Sequence, residues 1–140
     1  MSRLVVIWAA AALALSGCAS VSESAQSLRD RIESIDIDAA LQGLRDCDRL
    51  SDAFVGLVKT AADTVDTLAE QSDGRLPAVE IRDFVDKIAV SQYFDVAEQI
   101  GCLQVQQKLD TLDQLRGVQT DTPAGSDFLN EILRQVESSA

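Results

Sequence analysis

Histidine is absent from this 140-residue chain, and its single tryptophan, Trp8, lies in the first ten residues. Without histidine no side chain has an unperturbed pKa near neutrality, so the sequence offers no ready general base. Nucleophilic arrangements of the Ser-His and Cys-His kind are excluded with it. Aromatic rings are also scarce: four phenylalanines (Phe54, Phe84, Phe94, Phe128) and one tyrosine, Tyr93, accompany Trp8. So few rings are needed for packing, which argues against a sugar-stacking platform. Positive charge is in short supply, with 12 Lys and Arg against 23 Asp and Glu, a formal net charge of −11. Such a surface repels nucleic acid and anionic lipid head groups. Long apolar runs are missing too. The longest, Leu4 to Leu15, has 12 residues, short of the roughly 20 that a transmembrane helix needs.

That short run has a meaning of its own. Arg3 precedes it and the small residues Ser16 and Gly17 follow, which is the layout of a secretory signal peptide. The stretch Leu15-Ser16-Gly17-Cys18 then resembles the lipobox of bacterial lipoproteins, in which a cysteine follows small residues and an aliphatic residue stands three places before it. The resemblance is confined to the signal and this four-residue box. It implies cleavage after Gly17, transfer of a diacylglycerol to the Cys18 thiol, and acylation of the new amino terminus. Two or three acyl chains hold a protein stably at a membrane, each buried CH₂ contributing about 0.8 kcal/mol. Ala19 follows the cysteine; in Gram-negative lipoproteins an aspartate there commonly signals inner-membrane retention, so Ala19 would permit sorting to the outer membrane if the organism is Gram-negative. The expected location is therefore the extracytoplasmic side of a bacterial membrane, attached by lipid without spanning it. Removal of Arg3 with residues 1–17 leaves the mature chain one unit more negative. Residues 18–27 then form the lipidated cysteine and a Ser-rich tether, and 28–140 a single domain of ordinary size.

Apolar periodicity across that domain is helical almost throughout. Leu28, Ile32 and Ile35 mark a short first helix. From Asp38 to about Gln71, Leu44, Cys47, Ser51, Phe54, Val58, Ala61, Val65 and Leu68 recur three or four residues apart, predicting one long helix with Gly43 and Gly56 as bend points. Gly74 and Pro77 supply a stop and a restart. A third helix from Pro77 to about Val90 carries Ile81, Phe84, Val85 and Ile88. A fourth, roughly 92 to 116, carries Val96, Ile100, Leu103, Leu109, Leu112 and Leu115 and ends near Gly117. Ser126 is the expected N-cap of a last helix bearing Phe128, Leu129, Ile132, Leu133 and Val136. The predicted fold is all-α, a bundle of about four or five amphipathic helices with one long antiparallel helical hairpin.

No metal or cofactor set emerges. Ala69 to Glu80 matches a calcium-binding EF-hand loop at Asp73, Gly74, Leu76 and Glu80, but Ala69 stands where the first carboxylate ligand belongs. A helix corner accounts for the same residues. Asp46, Asp48 and Asp52 alternate with Arg45 and Arg49, the pattern of a solvated helix face.

The remaining cysteines, Cys47 and Cys102, form an even pair in an oxidising compartment, where disulfides form and persist. Gly74 lies midway between them. If the chain doubles back there as two antiparallel helices, both cysteines lie about 40 Å from the turn at 1.5 Å per residue. A Cys47–Cys102 disulfide is expected. With a lipid tether, a helical domain and no reactive constellation, the reading is a non-catalytic interaction or scaffold module of the cell envelope, with an envelope protein as its partner. The alternative is a binding module for an apolar small molecule or lipid held between the helices, lined by residues such as Phe84, Ile88, Ile100 and Leu103.

Overall fold

The computed structural model describes residues 24–139, which contain seven helices and no strand: α1 (Ala25–Glu33), α2 (Ile37–Leu41), α3 (Cys47–Glu70), α4 (Ala78–Ile88), α5 (Val90–Gln99), α6 (Val105–Arg116) and α7 (Pro123–Ser138). Cys18 and the signal segment lie outside the described residues. No helix among those described is long and apolar enough to cross a membrane.

The 24-residue helix α3 is the axis of the bundle, and its length is about 36 Å. Asp46 starts it, one carboxylate oxygen accepting from the backbone N–H of Asp48 at 2.9 Å and of Arg49 at 3.4 Å. This aspartate is a cap, not part of a helix face. Leu50, Phe54, Val58, Ala61, Val65 and Leu68 follow at helical spacing and are all buried. Helices α1, α2, α6 and α7 pack around α3, and α5 touches it. Phe128, Leu129, Ile132 and Val136 of α7 and Ile81, Phe84, Val85 and Ile88 of α4 are buried as their periodicity predicts.

Left-handed residues cut the chain where hydrophobic spacing runs on. The single helix expected from Asp38 to Gln71 is two helices, because Gly43 turns with φ +80° and Asp46 caps afresh. Gly56 lies within α3, which continues through it. The helix expected from 92 to 116 is likewise divided: Gly101 adopts φ +80°, its N–H donates to the Glu98 carbonyl, and the Cys102 N–H donates to the Ala97 carbonyl at 2.7 Å. That pair of bonds is a Schellman stop, which favours glycine because no Cβ crowds the left-handed backbone. The last helix begins at Pro123, since Thr122 caps it by accepting from the Gly125 N–H at 3.0 Å, and Ser126 sits inside its first turn. At the front, Ser24 accepts from the Ser27 N–H, so α1 starts three residues ahead of the expected domain boundary.

The chain does turn back at Gly74 (φ +77°). The returning arm is not one straight helix: it comes back as α4 and α5, bent at Ala89, and α7 packs on α3. The expected long hairpin is therefore a bent arm, because Ala89 takes φ 52°, ψ 61° between α4 and α5. A left-handed alanine costs about 1–2 kcal/mol, and glycine relieves it at an entropic cost of about 0.5–1 kcal/mol. Ala89→Gly should accordingly stabilise the fold by up to about 1 kcal/mol, read as a higher urea midpoint. A lower midpoint would mean that the half-buried methyl packs to more effect than the backbone strain it imposes.

Polar contacts fasten the corner end of the bundle. Arg29 of α1 pairs with Glu80 in the first turn of α4, so the described chain starts at the Gly74 corner end. On that same side Asp66, 4% exposed, accepts from the Asp121 N–H at 2.8 Å, the Thr122 N–H at 3.2 Å and the Thr122 hydroxyl at 2.7 Å. The Ala124 N–H donates to the Gly74 carbonyl at 3.1 Å. Together these bonds fasten the start of α7 to the far end of α3.

Candidate functional site: an apolar cavity beside the disulfide

The opposite end of α3 is closed covalently. Cys47, its first residue, is joined to Cys102 just after the Gly101 stop, with Cα atoms 5.5 Å apart. The Gln107 side-chain amide donates to the Cys47 carbonyl at 3.0 Å and so ties α6 to the same point.

Because the Gly101 stop breaks the helix, the chain re-enters α6 in a new register. Thr111, Leu112 and Leu115 now face the core. Leu103, Val105 and Leu109 are left 43%, 77% and 47% exposed. Between α5 and α6 this leaves a cavity of about 360 Å³, lined by Tyr93, Phe94, Ala97, Cys102, Leu103 and Val105, with Gln104, Gln107, Lys108, Thr111 and Ser139 supplying its polar atoms. Its inner wall is aromatic. Tyr93 stacks on Phe54 with ring centroids 4.1 Å apart and meets Phe94 edge-on at 5.2 Å.

The hydroxyls of that wall satisfy one another. Thr111 donates to the Gln107 carbonyl at 2.9 Å, so the 2.8 Å contact with Ser51 and the 3.3 Å contact with Tyr93 both bring protons to Thr111. At the mouth, the Lys108 ammonium donates to the carbonyl of Glu137 at 2.9 Å and to that of Ser139.

The four residues expected to line a ligand site are not gathered in this cavity. Leu103 lines it, whereas Ile100 borders a separate surface groove with Asp36, Gln42 and Arg45. Phe84 and Ile88 are in the core and line neither. Tyr93, Phe94, Val105 and Lys108 were not among the expected lining residues. The one visible hint was the six-residue gap between Leu103 and Leu109, where the apolar stripe loses its spacing.

Elsewhere, Arg134 donates to Glu131 and holds its carboxyl below the usual carboxylate range. The EF-hand-like stretch begins inside α3 at the buried Ala69, and its Glu80 is engaged by Arg29. Among the described residues no cluster of three or more His, Cys, Asp or Glu is placed to hold a metal ion. No protein-family model matches the chain, and neither a curated protein nor a solved structure does.

Proposed function

We propose that the protein is a lipid-anchored extracytoplasmic lipoprotein whose helical domain serves as a non-catalytic interaction or scaffold module of the bacterial cell envelope. The anchor rests on the signal and the lipobox-like residues ending at Cys18. The Cys47–Cys102 disulfide supports an oxidising compartment. The observation that carries the interaction role is the grouping of Leu103, Val105 and Leu109, three exposed large hydrophobics within seven residues. Scattered exposed leucines need no explanation, but a contiguous apolar patch marks a contact surface. It stands at the disulfide end of the bundle, opposite the Gly74 corner.

A photo-crosslinker at position 105, in membranes bearing the protein, should capture one envelope protein in stoichiometric yield. The same probe at Val79, which is 67% exposed near the corner, should not. Recovery of nothing specific from position 105 would remove the interaction reading, and an unacylated Cys18 peptide by mass spectrometry would remove the anchor.

The cavity favours a second reading, a binding module for an apolar small molecule or lipid. At about 360 Å³ it falls within the range of ligand pockets, roughly 300–1,000 Å³.

A further inference from the structure

Resting on that second reading, we propose that the cavity between α5 and α6 binds a single-chain anionic amphiphile, its acyl chain against Phe94, Leu103 and Val105 and its head group on the Lys108 ammonium. Size selects one chain: the volume of about 360 Å³ is near the lower end for ligand sites and too small for a two-chain lipid. The inner wall selects orientation. Its hydroxyls are already paired, Thr111 with Ser51, with Tyr93 and with the Gln107 carbonyl, so a head group at depth would have to break bonds already made. Burying an unpaired charge there would be prohibitive. The tail goes in and the head stays at the mouth.

Lys108 selects the sign of the head. An ammonium has three N–H donors, and two are used by the carbonyls of Glu137 and Ser139. Those bonds hold the side chain at the mouth without neutralising it, and it has no carboxylate partner among the described residues. In a chain that carries 23 acidic side chains against 12 basic ones, a cation with no acidic partner among the described residues, at the rim of an apolar cavity, is a binding element. Gln104, exposed on the same rim, adds an amide donor. The net charge of −11 opposes an approaching anion, but that long-range repulsion is screened beyond about 10 Å in 0.1 M salt. The contact at Lys108 is not.

Tyr93 is the only tyrosine in the chain and lines the cavity, so ¹³C-tyrosine labelling gives a single NMR reporter. The intact protein, in a non-ionic micelle, is titrated with dodecanoate, dodecanol and dodecyltrimethylammonium. Dodecanoate should displace the Tyr93 signal saturably and bind more tightly than either of the others. Lys108→Gln should weaken dodecanoate about tenfold, the worth of one charge-assisted hydrogen bond, leave dodecanol unchanged, and be rescued by Lys108→Arg. Dodecanol or the cationic probe binding wild type as tightly as dodecanoate would overturn the anionic-head assignment, a result that does not depend on how any variant folds. So would indifference of dodecanoate to Lys108→Gln. If none of the three moves Tyr93, the ligand-binding reading itself fails.

Discussion

Reduction of Cys47–Cys102 is expected to lower the unfolding midpoint by about 15 °C. The two cysteines are 55 residues apart in sequence, and in the chain-entropy model closing a loop of that size contributes about 4 kcal/mol. That is a large share of the 5–15 kcal/mol by which domains are ordinarily stable. Each kcal/mol shifts the midpoint of a domain this size by about 4 °C. The bond also holds the connection before α6, so reduction should disturb the cavity ahead of the core: the Tyr93 signal broadens at temperatures where helicity is intact. Thermal scans by circular dichroism with and without reductant test the first part. Equal midpoints would show that the α3, α6 and α7 packing holds this end unaided.

Asp66 and Gly125 are expected to give the other large loss, about 3 kcal/mol or more each, and to do so as one unit. Asp66→Ala leaves the N–H groups of Asp121 and Thr122 and the Thr122 hydroxyl without their acceptor; the two donors of Thr122 are buried, each worth about 1–3 kcal/mol when unmet, and the Asp121 N–H is part-buried. Gly125→Ala reaches the same result by another route. A Cβ built on Gly125 would stand 1.9 Å from the Asp66 Oδ1 atom, so the carboxylate must leave its three donors. Once Asp66 is alanine, the added methyl meets no carboxylate. The double variant should therefore be only slightly less stable than Asp66→Ala alone, a coupling of about 2–3 kcal/mol in a double-mutant cycle. Additive losses, measured by urea unfolding, would refute the shared mechanism.

These two sites differ in how far they were legible beforehand. The cysteine pair followed from parity and from equal distance to a Gly-Pro corner. The bend at Ala89, unmarked by glycine or proline, did not prevent the bond, since α4 and α5 still carry the chain back along α3. Asp66 offered no such signal. It interrupts an apolar stripe between Val65 and Leu68 as any solvent-facing aspartate would, and only the arrival of residues 121–122 makes it a buried acceptor. Local signals misplace the start of α7: Ser126 is the expected cap, whereas Thr122 takes that role with Pro123 as the first helical residue.

What the sequence by itself determined is whatever one segment settles alone. The apolar spacing chose helices and named the buried faces of α3, α4 and α7. The glycine and proline near residue 75 chose the corner, and the run ending at Cys18 carries the targeting reading without reference to any fold. What only the tertiary structure decided is where a periodic pattern stops being one helix. Val96, Ile100 and Leu103 keep helical spacing straight across Gly101, so local hydrophobicity cannot register the break. The register of α6 is chosen by which of its faces packs best on α3 and by the bond from Cys102 to Cys47. That choice buries Leu112 and Leu115, leaves Leu103, Val105 and Leu109 in solvent, and opens the cavity under Lys108. Burial is a property of two surfaces meeting, and a single strip of sequence contains only one of them.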